Sequence, residues 1–159
     1  MITTTQAWQI LDEIKDPEIP VVSVVEMGLI RSVGVDGQAF IVVMTPTFTG
    51  CPALKVIQTA IVDRFRQAGL DQVSVHISLS PPWTSDWITP VGREKLKSFG
   101  LAPPPYHRGD LDLAWEAPVT CPYCASANTS LKNSFGPTLC RAMYVCLDCR
   151  QPFEQFKPI

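Results

Sequence analysis

Positive charge is in short supply in this sequence: 13 lysines and arginines stand against 15 aspartates and glutamates, a formal net charge of -2. That balance argues against a nucleic-acid binder held by a basic surface and leaves room only for a local patch. Long apolar runs are missing too, and no stretch approaches the roughly 18 residues that suggest a membrane helix. The opening M-I-T-T-T-Q-A-W-Q-I-L-D-E has neither the basic n-region nor the long apolar core of a signal peptide. We therefore expect a soluble, cytoplasmic protein that engages neither membrane nor nucleic acid. Internal repeats and low-complexity tracts are absent. Histidine is limited to His76 and His107, neither with an evident pairing to a cysteine. No nucleophile–base–orienter set can be assembled, which disfavours a thiol hydrolase.

What is present fits one ordinary domain plus a small module. The 159 residues are 46% hydrophobic, enough for a real core. Of the six cysteines, five lie between Cys121 and Cys149. In a reducing compartment such clustering points to metal rather than to disulfides.

The first helix is marked by Ala7, Ile10, Leu11 and Ile14 at helical spacing, with Thr3 and Gln6 as a capping box. Asp16-Pro17 is expected to end it, because a residue before proline avoids helical angles. Two apolar runs follow, Leu29 to Val35 and Ala39 to Met44, joined by a hairpin signal at Asp36-Gly37. A helix from about Pro52 to Ala68 carries a stripe of Ala53, Ile57, Ala60, Ile61 and Phe65. Val73 to Leu79 alternates strictly, as a strand with one buried face does, and His76 falls on its polar side. Ile88 to Phe99 reads as a further helix. Pro103, Pro104 and Pro105 then open a semi-rigid connector that should pack through Leu111, Leu113 and Trp115. The expected architecture is α+β: a small domain over 1–100 with a mixed sheet of three or more strands, a connector over 101–118, and a cysteine module over 119–159.

Topology predicts a meeting place. A hairpin makes the first two strands antiparallel, and a crossover through the second helix makes the third parallel to the second. Three loops then converge at one sheet edge: Asp16 to Gly28, Thr45 to Cys51, and Ser80 to Trp87. They bring carboxylates (Asp16, Glu18, Glu26), hydroxyls (Thr45, Thr47, Thr49) and a frame of Trp83, Asp86 and Trp87. Cys51 sits where backbone N–H groups and the helix dipole would stabilise a thiolate. The plainer readings are a space-filling cysteine, carboxylates that hold turns, and tryptophans that pack.

The knuckles C-P-Y-C at 121–124 and C-L-D-C at 146–149 are separated by 21 residues. Cys121, Cys124, Cys146 and Cys149 can bring four thiolates to the corners of a tetrahedron, which suits Zn²⁺ and also a single iron. A module of this size builds little core, so the metal should supply much of its folding energy. Cys140 stands outside both pairs and is expected to pack. Lys132, Arg141, Arg150 and Lys157 against Asp148 and Glu154 form no basic run, so a protein–protein role is favoured over nucleic acid.

Together these residues resemble a known family. D-P-E-I-P-V-V-S-V-V-E-M-G-L-I followed by T-P-T-F-T-G-C-P-A is similar to the α/β domain of SufT-like iron–sulfur assembly accessory proteins. W-T-S-D-W-I-T-P-V-G-R-E-K-L, the A-P-P-P segment, the two knuckles and F-E-Q-F-K resemble one branch, the PaaD (PaaJ) subunits of the bacterial phenylacetyl-CoA epoxidase system. Met27 replaces a commoner leucine at similar volume. The resemblance implies an accessory protein without catalysis of its own, assisting iron–sulfur or iron cofactor assembly in aerobic phenylacetate breakdown. Its partners would be the oxygenase and reductase subunits of that epoxidase or iron–sulfur assembly proteins. It implies Cys51 as a transient ligand for iron or a cluster, with Asp16 and Glu26 on the acidic loop. One thiolate cannot satisfy a cluster that takes four sulfurs; a homodimer, a client cysteine or a small thiol would complete the site. Two alternatives stay open at this point: a rubredoxin-like electron carrier with iron on the four cysteines, and a nucleic-acid-binding zinc ribbon.

Overall fold

Thr3 opens the first helix in the way its spacing from Gln6 requires. In the computed structural model, which describes residues 2–37 and 39–159, α1 spans Thr4–Asp12. The Gln6 amide donates to Thr3 Oγ1 at 3.2 Å, and the Thr3 amide donates to Gln6 Oε1 at 2.8 Å. The helix ends at Asp12, a turn before Asp16-Pro17. The cause is pairing further on: Lys15 bridges Ser23, and the Asp16 amide reaches Val22 O at 3.0 Å, which only an extended chain allows.

The strands β1 (Ile30–Asp36) and β2 (Ala39–Met44) pair antiparallel, with Asp36 opposite Ala39. The turn between them passes through Gly37 at φ +62°, a left-handed angle that glycine adopts without penalty; its other residue, Gln38, lies outside the described residues. Helix α2 (Ala53–Gln67) leads to β3 (Val73–Ile77), which runs parallel to β2. The sheet order is β1-β2-β3. Phe40, Val42 and Met44 of β2, Ile57, Ile61 and Phe65 of α2, and Ala7 and Leu11 of α1 are all buried. Each large side chain here contributes roughly 1.5–3 kcal/mol by leaving water. The Phe40 and Phe65 rings lie 6.0 Å apart, tilted by 46°. As an edge strand, β3 is only half covered, and it is two residues shorter than its alternation predicts; Leu79 is exposed.

The second unit begins with a 3-10 turn at Ser85–Trp87 and α3 (Pro90–Ser98), whose N-cap Thr89 accepts from the Gly92 amide at 3.0 Å. Then follow β4 (Leu101–Ala102), α4 (Leu111–Glu116), β5 (Thr129–Asn133), β6 (Arg141–Cys146) and β7 (Pro152–Phe156). The sheet order is β4-β7-β6-β5, with β4 parallel to β7 and the other pairs antiparallel.

The described chain divides into compact units at 83/84, where the sequence reading placed boundaries at 100 and 118. The reason is that β4 pairs with β7 and the Ser85 amide donates to Ile159 O at 2.8 Å, while Arg93 ties α3 to the proline segment. Buried Arg93 donates to Ser85 O at 2.7 Å, to Ile88 O at 3.3 Å and to Pro104 O, beneath the Tyr106 ring at 3.7 Å. The expected packing of Leu111, Leu113 and Trp115 does not occur: all three are exposed, and Ala114 is the residue of α4 that turns inward.

Candidate metal centre and cysteine site

The four-thiol cluster is built from two matching turns. In each knuckle the first cysteine's amide donates to the carbonyl five residues on: Cys121 to Ser126 O at 2.9 Å, and Cys146 to Gln151 O at 3.0 Å. The residue after each second cysteine takes a left-handed angle, Ala125 at φ 62° and Arg150 at φ 64°. These turns aim amides at sulfur: those of Cys149 and Asp148 bond Cys146, that of Ser126 bonds Cys124, and that of Gln151 bonds Cys149.

The sulfurs of Cys121, Cys124, Cys146 and Cys149 all lie within 4.8 Å of one another. Cys121 is 3.7 Å from Cys149, and Cys124 is 3.5 Å from Cys146. A tetrahedron with Zn–S bonds of ~2.3 Å has S–S edges of about 3.8 Å. The donor set and its spacing fit a tetrahedral thiolate metal. Its electrostatics agree, because four crowded thiols cannot all ionise unaided. The Cys149 amide, chiefly, brings the Cys146 thiol down to about 7. The Gln151 amide favours a Cys149 thiolate, but burial and the sulfurs of Cys146, Cys124 and Cys121 outweigh it and push that thiol up to about 12. A bound dication would remove that conflict.

Sequence reasoning passed over Asp148. Its carboxylate accepts from Ser126 Oγ at 2.5 Å and Asn128 Nδ2 at 2.7 Å, which hold it below its ordinary value and strap one knuckle to the other. The aspartate inside C-L-D-C was the available signal. Cys140 is buried at the start of β6, with Thr138 Oγ1 at 3.1 Å, outside the four-sulfur group.

In the first unit, Cys51 precedes α2, whose N-cap is Pro52 with no side-chain cap of its own. The Cys51 sulfur is half-buried and takes over the capping role, accepting from the Ala53 amide and bonding the Thr47 hydroxyl. A depressed, thiolate-like sulfur was expected there. Instead, burial pushes the thiol above its ordinary value, and the carboxylates of Glu18 and Asp16 push the same way. The amide and the hydroxyl act against this without offsetting it.

The surrounding residues divide into two groups. Asp16 is buried, its Oδ1 accepting from the amides of Glu18 at 2.8 Å and Ile19 at 3.1 Å. Buried Glu26 accepts from the Ser23 amide at 2.8 Å, while Ser23 Oγ accepts from the Glu26 amide at 3.0 Å. Both carboxylates thus shape the acidic loop. Thr45 is buried, its amide bonded to Leu29 O at 2.8 Å, and Thr49 is exposed. Trp83 is buried and donates Nε1 to Met27 O at 3.0 Å, which joins the start of the third loop to the first. Asp86 lies in the second unit, where its carboxylate accepts from the amides of His107 at 3.0 Å and Arg108 at 2.8 Å. Those bonds fix the connector. The structure therefore gathers Asp16, Glu18 and Thr47 around Cys51, and it gives Asp86 a separate task.

Comparison with known proteins matches both halves. Residues 4–79 match the family model "Iron-sulfur cluster assembly protein", and residues 108–157 match "PaaD zinc beta ribbon domain". The D component of the "Putative 1,2-phenylacetyl-CoA epoxidase" of Escherichia coli (strain K12) is 42% identical over 97% of this chain and 92% of its own length. The "Fe-S protein maturation auxiliary factor YitW" of Bacillus subtilis (strain 168) is 35% identical over 48% of this chain and 76% of its own. The solved "Conserved Hypothetical Protein TM0487 from Thermotoga maritima" aligns at TM-score 0.51 and 29% identity, covering 60% of this chain and 94% of that one. No described helix is long and apolar enough to cross a membrane. With both modules matched and one relative aligned nearly end to end, the chain belongs to the PaaD family of phenylacetyl-CoA epoxidase components, in which an iron–sulfur assembly domain is joined to a zinc β-ribbon.

Proposed function

We propose that this protein is a cytoplasmic maturation factor within a phenylacetyl-CoA epoxidase system, and that Cys51 transiently holds iron or an iron–sulfur cluster as cargo for a client protein. The observation that carries this reading is the half-buried Cys51 sulfur beside Glu18 and Asp16, within the segment that matches the assembly family. Negative charge has two effects on one sulfur. It disfavours a bare thiolate, so the group is a poor nucleophile at neutral pH, and it favours any cation that binds there. Capture replaces the thiol proton with the metal and releases that proton to solvent. Because Cys51 supplies a single ligand, the cargo must take its remaining ligands elsewhere, and the hold is weak by design. Oxygenase and reductase subunits, or other assembly proteins, are the partners this role requires.

The four-cysteine site is proposed to hold Zn²⁺ as a structural centre. Zinc would supply folding energy to a module in which two of its own ligands, Cys121 and Cys146, form a buried cluster with Ala102 and Phe153. The same thiolates would hold iron in an electron carrier, and colour separates the two, since zinc thiolates are colourless. The test is anaerobic purification of wild type and Cys51→Ala with elemental analysis and absorption spectra. Both proteins should carry one zinc, and only wild type should carry additional labile iron after exposure to an iron–sulfur donor. Full cofactor loading of the epoxidase in cells that contain only Cys51→Ala would overturn the cargo role.

A further inference from the structure

The four clustered cysteines are not equally guarded. Cys121 and Cys146 are buried and Cys149 is half-buried, whereas Cys124 is exposed. Backbone support is uneven as well. Cys146 ends β6, and Cys121 is packed with it in the cluster that includes Ala102 and Phe153. The ladder between β5 and β6 begins only at Thr129, opposite Cys146, so Cys124 lies beyond its end. Cys124 is the weak corner.

Asp148 fastens that corner. Its Oδ2 accepts from Ser126 Oγ at 2.5 Å and its Oδ1 from Asn128 Nδ2 at 2.7 Å, so both oxygens serve the first knuckle. The Ser126 hydroxyl is fixed in turn, because it accepts from the Asn128 amide at 3.0 Å. Ser126 is also the residue whose amide bonds the Cys124 sulfur. Asp148 stands between Cys146 and Cys149, and its own amide bonds the Cys146 sulfur. One residue thus reaches a sulfur of each knuckle, directly in one case and through Ser126 in the other. The Leu147 amide, bonded to Asn128 O at 2.8 Å, joins the same two segments. Four thiolates already outweigh the charge of a dication, so attraction to the metal does not explain a further carboxylate there. Its two hydrogen bonds do.

We propose that Asp148 is a positioning residue for the metal site, its carboxylate latching the first knuckle so that Cys124, the exposed corner, stays on the ion. Metal exchange then begins at Cys124: an incoming chelator takes its place on the ion, and the departing thiolate takes a proton from solvent. The inference rests on the reading that the four cysteines hold zinc, and it is independent of Cys51.

The test follows zinc leaving the zinc-loaded full chain into excess 4-(2-pyridylazo)resorcinol, after elemental analysis has fixed the zinc content. Asp148→Ala should speed release about tenfold, the lower end of what hydrogen-bond partners of metal ligands contribute to affinity. Asn128→Ala removes one donor without changing charge and should speed release about threefold, the worth of one exposed hydrogen bond. In the Asp148→Ala background it should add nothing. Limited iodoacetamide treatment of zinc-loaded wild type, read by mass spectrometry, should label Cys124 ahead of Cys121, Cys146 and Cys149. Asp148→Ala should accelerate labelling at Cys124 alone, whereas a merely less stable module would expose all four together. Wild type that binds no zinc through these cysteines would overturn the zinc reading and the latch with it. Zinc bound but released equally fast without Asp148, an additive effect of Asn128→Ala, or labelling that starts elsewhere would overturn the latch alone. The labelling order is read on wild type, so it decides the matter even if Asp148→Ala fails to fold.

Discussion

Before the first turn of α2, one amide and one hydroxyl favour an anionic Cys51, while burial, Glu18 and Asp16 oppose it. Alkylation requires the thiolate, so the raised value has a definite sign. Iodoacetamide should modify Cys51 more slowly at pH 8 than it modifies an exposed model thiol, and the rate should keep rising as pH climbs past the ordinary thiol range. Glu18→Gln removes the larger of the two opposing charges and should accelerate labelling at pH 8 by about threefold, read by mass spectrometry of the Cys51 peptide. Equal rates in the two proteins would show that Glu18 does not act on the sulfur. The position of Cys51 was legible in the sequence, because Gly50-Cys51-Pro52 directly precedes an apolar stripe of helical period. The direction of its shift was not. The topology brings Asp16 and Glu18 to the same sheet edge as Cys51, but it does not record the loss of water that, with their charge, outweighs one amide and one hydroxyl.

Among the elements, α2 and β2 follow from their own residues. The stripe of Ile57, Ile61 and Phe65 and the alternation of Phe40, Val42 and Met44 are each one face of a regular period. β4 is different. Two residues do not make a strand by propensity; Leu101 and Ala102 become one because β7 lies alongside them. Arg93 was similarly opaque, since an arginine on a short amphipathic helix ordinarily faces water. Here its guanidinium is buried, and that burial lowers its pKa although carbonyl oxygens and the Tyr106 ring surround it. Arg93→Leu would leave Ser85 O, Ile88 O and Pro104 O without this donor. We expect a loss of about 3 kcal/mol from the second unit, measured by denaturant unfolding followed with probes in that unit. A change below about 0.5 kcal/mol, as for an ordinary surface site, would contradict the role assigned to it.

For the molecule as a whole, a two-part organisation was readable from cysteine spacing alone, whereas the place of division was not. The proline segment looks like a linker by composition, but Arg93 and Asp86 fasten it to α3 and the Ser85–Trp87 turn, and the β4–β7 pairing joins its start to the ribbon. Stability should divide at the same place. Replacing Cys121 and Cys124 together with serine should abolish metal binding and unfold the ribbon, while the core signals of Val42, Ile61 and Phe65 stay dispersed. Elemental analysis and methyl and aromatic NMR of the full chain check both halves of that statement. Retained metal, or collapse of both units together, would refute it.

The parallel pairing of Leu101–Ala102 with Glu154–Gln155, and the bond of 2.8 Å from the Ser85 amide to Ile159 O, set a schedule for a growing polypeptide. On the ribosome, the three strands of the amino-terminal sheet are complete once Ile77 has emerged. The other sheet must wait until its last strand leaves the exit tunnel. Until that strand is in place the knuckle thiols lack the sheet that carries them, so any ion they take up at that stage is held by an unfinished module.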